Sequence, residues 1–200
     1  MTAANPKEAL ESLSRYVREL VVGGFDPISE VRTNARDYAV GDGLPASAAK
    51  RIVDAELTRF YKLQRRFPKV TDNDRLDAAF AELNRSGIVA LQNYLCCGTC
   101  ASREIHEVMA ERRDAGKLVR GYTSYDVQST WAATDGHGIA LNYGSPKRGR
   151  KAAEAIGHEV VAVLRKHGLD ARWEGNWDNR IMVELRWQRR RRPPRASSPN

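Results

Sequence analysis

Residues 87–105, Gly-Ile-Val-Ala-Leu-Gln-Asn-Tyr-Leu-Cys-Cys-Gly-Thr-Cys-Ala-Ser-Arg-Glu-Ile, decide how the chain is read. Ile88 to Leu95 is apolar on both faces apart from Gln92 and Asn93, which predicts a strand, and a central one. Ala101, Ile105, Val108 and Met109 then fall at helical spacing up to Gly116. Cys96, Cys97 and Cys100 stand at the junction between them and are the only cysteines of the chain.

Before Gly87 the period is helical throughout. Asn5-Pro6 opens a first helix, since an Asn side chain caps free amides and proline has no amide hydrogen to leave unpaired. Asp26-Pro27 opens a second and Ala46 to Arg66 a third. Thr71-Asp72-Asn73-Asp74 opens a fourth, where capping outweighs an acid pair for metal. After Gly116 come strands at Val119–Tyr125 and Ile139–Tyr143, with a short helix at Gln128–Ala133 between them. A long helix from Lys147 to His167 follows, and Gly157 within it allows close approach. Leu169, Ala171 and Trp173, then Ile181, Val183, Leu185 and Trp187, alternate as a hairpin.

The fold expected is therefore α+β: a helical N-terminal half packed on a mixed sheet of about five strands with flanking helices. The expected organisation is a helical region over 1–86, an α/β region over 87–188 and a disordered basic tail over 189–200.

Composition excludes several classes. With 42% hydrophobic and 29% charged residues the chain has the balance of a globular protein. No apolar run approaches the roughly 18–20 residues that span a bilayer, and no apolar leader opens the sequence. A cytoplasmic protein with reduced thiols and no membrane partner is expected. The net charge of +8 is concentrated: Arg189, Arg190, Arg191, Arg192 and Arg195 lie in a stretch without an acid. Setting those five aside leaves 28 basic against 25 acidic residues.

The run from Asp74 to Ile105, DRLDAAFAELNRSGIVALQNYLCCGTCASREI, resembles the signature of an uncharacterised bacterial family common in actinobacteria, domain of unknown function 6891. Val119-Arg120-Gly121-Tyr122 and Leu141-Asn142-Tyr143-Gly144-Ser145 fit it too. The resemblance implies a bacterial cytoplasmic protein and no defined activity. It also implies an acidic residue after the glutamine matched by Gln128, where this chain has Ser129.

Three chemistries compete at the cysteines. Cys97-Gly98-Thr99-Cys100 opening a helix is a dithiol redox arrangement, because the helix N-terminus stabilises a thiolate. Glu104, Glu107 and Glu111 on the same helix oppose that ionisation. A CxxC is half of a zinc site, and the other ligands would come from Cys96 or from His137 in its glycine-flanked loop; His106 falls on the wrong helix face. The reading preferred from sequence is small buried packing residues, with no cofactor. His158 reads as solvated and His167 as a partner of its helix C-terminus. Gly144-Ser145 is too short for a phosphate cradle.

The function expected is a small cytoplasmic binding or regulatory protein without catalysis, acting on a protein partner. The alternatives are a thiol oxidoreductase or redox sensor using Cys97 and Cys100, and a weak nucleic-acid binder. The latter would use Arg189, Arg190, Arg191, Arg192 and Arg195 to contact phosphates without reading sequence.

Overall fold

The computed structural model describes residues 5–192. They form an α+β protein of two compact units. One takes the chain up to Lys69 together with the segment from Gln188; the other is Val70–Trp187. The contact boundary thus falls at Lys69 rather than at the period change near Gly87. The fourth helix belongs with the sheet, because its apolar face meets the first strand and the last helix. Local periodicity reports that a helix has a buried face and is silent on what covers it.

The first unit holds α1 (Pro6–Gly23), α2 (Ile28–Gly41) and α3 (Ala46–Gln64). Asn5 caps α1, its side-chain oxygen accepting from the Lys7 amide at 3.1 Å. Leu13, Val17 and Val21 of α1 meet Val31 and Ala35 of α2 and Val53, Leu57 and Phe60 of α3 in one core. Tyr16 and Tyr38 stack at 4.7 Å.

The segment from Gln188 closes this unit: over 189–192 the chain expected to be disordered forms a strap, and the remainder of that expected tail, 193–200, lies outside the described residues. Arg191 is buried, and among the described residues no carboxylate lies within ion-pair distance of it. Its Nε donates to the Val21 carbonyl at 2.6 Å, Nη2 to Leu20 at 2.5 Å and Nη1 to Asp26 at 2.7 Å. These are carbonyls at and just past the end of α1, the end that a helix leaves without amide partners. Gln64 grips the Arg191 backbone from both sides, accepting from its N–H at 2.7 Å and donating to its carbonyl at 2.9 Å. Burial pulls the Arg191 pKa below its usual value, with Tyr61 and Asp26 acting in the opposite direction. Arg189 lies over the Phe25 ring at 4.1 Å, and Arg190 donates to the Pro68 carbonyl and, at 3.2 Å, to Lys69. A run of arginines looks solvated in sequence because the acceptors here are backbone carbonyls, which no composition reveals. Arg195 lies outside the described residues.

The second unit holds α4 (Asp72–Arg85), β1 (Ile88–Leu91), α5 (Gly98–Asp114), β2 (Gly121–Ser124), α6 (Val127–Thr134), β3 (Ile139–Gly144), α7 (Arg150–Lys166), β4 (Asp170–Arg172) and β5 (Ile181–Glu184). The sheet order is β1-β2-β3-β5-β4; β1 and β2 are parallel and the rest antiparallel. Thr71 and Asp74 form a capping box at α4, while Asp72 pairs with Arg75 at 2.7 Å and accepts from the Arg186 amide at 2.9 Å. The two acids expected at a cap are at a cap.

The strand at Ile88 is shorter than expected and is not central: β1 stops at Leu91 and lies at the sheet edge. Val89 packs with Ile105 and Met109 of α5, while the alternate residues face the side where α4 lies. Two-sided apolar character follows from helices on both faces, and says nothing about lateral neighbours. The exposed edge is blunted by Asn84. Its side-chain oxygen accepts from the Ala90 amide at 3.1 Å and its Nδ2 donates to the Ala90 carbonyl at 2.9 Å, replacing one residue of a missing strand. Close approach at Gly157 holds: a Cβ there would meet the Trp173 ring at 2.7 Å. His167 ends α7 with its Nε2 2.9 Å from Glu82, and His158 is exposed, edge-on to Trp173.

Two stability measurements check these contacts. Arg191→Ala removes three donors from the carbonyls at and just past the end of α1 and should cost about 2–4 kcal/mol by urea unfolding followed at 222 nm. Asn84→Ala removes both edge bonds and should cost about 1–3 kcal/mol. A change below a few tenths of a kcal/mol in either case would contradict the role given to that side chain.

Candidate metal centre at the start of α5

The carboxyl end of β1 runs into a loop whose shape is fixed by backbone pairing to the segment after β2. The Tyr94 amide donates to the Tyr125 carbonyl at 2.8 Å, and the Val127 amide to Leu95 at 3.0 Å. Thr130 donates to the Asn93 side chain at 2.7 Å, and Tyr125 to Gln92 at 2.9 Å. Held this way, Asn93 and Leu95 adopt positive φ values of 51° and 60°. Asn tolerates that region and Leu does not, so the backbone directly before Cys96 is strained by roughly 1–2 kcal/mol.

That strained turn brings three sulfurs together. Cys96 Sγ lies 3.5 Å from Cys100 Sγ and 3.9 Å from Cys97 Sγ, and all three lie within 4.8 Å of one another. None is buried: Cys96 is exposed and the other two are half-buried. The buried-packing role preferred from sequence is overturned, because the loop carries the thiols out past the end of the strand. His137 is not in this group; it sits between Gly136 and Gly138 in the turn before β3. His106 faces Tyr122 edge-on at 6.1 Å.

Cys97 is the N-cap residue of α5, and no side chain caps that helix. The backbone amide of Cys100 lowers the Cys97 pKa most, and the Cys100 thiol adds to it. Cys100 moves the other way, pushed up to about 11 by its contacts with the Cys96 and Cys97 sulfurs. Thus the Cys97 thiol ionises ahead of Cys100. Glu104, Glu107 and Glu111, expected to oppose ionisation, do not set the Cys100 shift, which comes from the two neighbouring sulfurs.

Two groups missed by sequence reasoning converge on Gly98, between the cysteines. A Cβ there would lie 3.0 Å from Arg180 Nη2 and 3.4 Å from Asp126 Oδ2. Asp126 is buried and caps α6, accepting from the Ser129 amide at 2.7 Å. Ser129 thus serves through its backbone where the family resemblance implied an acid. Arg180 stands directly before β5, and its side-chain position could not be foreseen from a loop rich in turn residues.

A family model described as domain of unknown function (DUF6891) matches residues 6–191. The chain belongs to that family. No curated protein and no solved structure matches it. Family membership therefore adds no activity to the geometry. No helix among the described residues is long and apolar enough to cross a membrane. The guanidinium groups of Arg189, Arg190 and Arg191, considered above for phosphate contact, are engaged within the first unit.

The order of thiol ionisation is measurable. In chelator-treated, reduced protein, iodoacetamide labelling read by peptide mass spectrometry should reach Cys97 at a lower pH than Cys100. The sign follows from the shifts: a lowered pKa supplies thiolate at lower pH, a raised one withholds it. Cys100 labelling ahead of Cys97 would reverse the assignment.

Proposed function

We propose that this chain is a binding protein whose functional centre is a three-thiolate metal site, zinc first, formed by Cys96, Cys97 and Cys100. One observation carries the reading. With Zn–S bonds of about 2.3 Å, a tetrahedral site spaces its sulfurs by about 3.8 Å. The two spacings from Cys96, 3.5 and 3.9 Å, bracket that edge. A dithiol redox centre requires two sulfurs and gives no reason for the third to be held within 4.8 Å of both.

Three protein ligands leave a fourth position, which in zinc chemistry is the open one taken by water or an incoming group. Arg180, set against Gly98, places a positive charge beside three thiolates and offsets their mutual repulsion in an outer shell. Such thiols persist only in a reducing compartment, which supports a cytoplasmic protein. The reading joins the expectation of a binding or regulatory role to a defined ligand.

A second reading, thiol oxidoreductase or redox sensor, draws on the lowered pKa of Cys97 beside Cys100. The two separate at Cys96. Protein purified under reducing conditions should contain close to one zinc per chain by mass spectrometry. Cys96→Ser should weaken zinc by at least tenfold, and Arg180→Gln by about tenfold, within the range of outer-shell losses. Stoichiometric zinc that survives Cys96→Ser, or none in any preparation, would sink the three-thiolate site. A reversible Cys97–Cys100 disulfide unaffected by Cys96→Ser would favour the redox reading.

A further inference from the structure

The loop between β3 and α7, Ser145-Pro146-Lys147-Arg148-Gly149, is followed at once by Arg150 and Lys151. Sequence periodicity takes Lys147 as the start of a helix, which would spread these cations around it. The helix begins at Arg150 instead, because Gly149 holds φ at 103°. Lys147 and Lys151 are left on one side, lining a groove of about 650 Å³. Arg120 is the third cation of that groove, and no carboxylate lines it.

The floor is apolar. Val119, Ala152, Ala155 and Ile156 form it, and Leu118, 68% exposed, stands at its edge. Leu118 is held there, since its side chain fills the space over Gly87, where a Cβ would meet it at 2.8 Å. Leu118 and the apolar floor form one continuous patch beside the unpaired lysines.

Arg120 is committed to Glu159, while the lysines of the groove are not. Among the described residues no carboxylate lies within ion-pair distance of Lys147, Arg148 or Lys151. The nearby acids have other partners: Asp178 pairs with Arg150 at 3.0 Å, Glu159 neutralises the groove's own Arg120 at 2.6 Å, and Glu154 accepts from the Trp177 amide. No side chain caps α7, so the amides of Arg150 and Lys151 add donors and the positive end of the helix dipole. Two lysines and a helix start suit a compact dianion, and the floor suits a flat apolar body of the size such grooves take.

We propose that this groove binds a small phosphate monoester bearing an apolar or aromatic body, with its phosphate at Lys147, Lys151 and the start of α7. The site is independent of the cysteine centre. Its phosphate is met by charge and its body by Leu118, Ala155 and Ile156, so neither half alone should bind as well.

The test uses the full chain and 1-naphthyl phosphate as the probe, by isothermal titration calorimetry at low and moderate salt. Its Kd should lie at least tenfold below those of inorganic phosphate and of 1-naphthol. Lys147→Glu with Lys151→Glu should weaken it by more than tenfold. Ala155→Trp, which fills the groove and leaves charge unchanged, should weaken it as well. Lys50→Glu, an exposed lysine on α3, should leave it unaltered. The proposal is overturned if inorganic phosphate binds as tightly as the ester, or if either groove variant leaves the affinity unchanged. It is also overturned if an acidic peptide or an oligonucleotide binds through Lys147 and Lys151 while the ester does not, which would make the groove a macromolecular contact.

Discussion

The parallel pairing of Ile88–Leu91 with Gly121–Ser124 is the constraint on which the second unit depends. Parallel neighbours cannot be joined by a tight turn, so the chain must leave the end of β1, cross a sheet face as α5 and return. The crossover helix necessarily starts at the carboxyl end of β1. That is where free helix amides and the irregular backbone between strand and helix coincide, and where ligands of open α/β sheets bind. The cysteines occupy that position, and their chemistry is inherited from it: Cys97 stands at the N-cap position of α5 and its thiol is eased toward ionisation by the first turn.

The same pairing explains why the preceding loop is strained. Tyr94 and Leu95 are tied to Tyr125 and Val127, the residues that leave the partner strand. With both ends fixed, the left-handed conformation at Leu95 is imposed by its surroundings. Its consequence is visible in the sulfurs, which sit outside the core at contact spacing. An unstrained turn of the same length would have no reason to bring the three cysteine sulfurs into one cluster.

Arginine plays opposite parts in the two units. Arg191 is buried among carbonyls at the end of α1, where its value is as a multiple donor rather than as a charge. Arg180 stays exposed and serves by position, beside Gly98 at the start of α5. Lys147 and Lys151, by contrast, have no acidic partner among the described residues and face an apolar groove. Counting charges along the chain ranks these groups in the reverse order of their availability.

The sequence by itself determined the α+β class, the helix starts at Asn5 and Thr71, the close approach at Gly157 and the junction at which the cysteines stand. These are local matters: capping, side-chain period and the absence of a Cβ act over a few residues. Tertiary structure alone decided that β1 is an edge strand, that α4 belongs with the sheet and that Arg191 is a buried clasp. It also decided that Cys96, Cys97 and Cys100 face outward as a trio while His137 stays apart. Each of these depends on which distant backbone groups meet a given side chain. The Arg191 acceptors lie 165 to 171 residues away, and Arg180 reaches Gly98 from the far side of the sheet sequence. A periodic pattern records that a surface is buried or a charge present; only the fold supplies the partner.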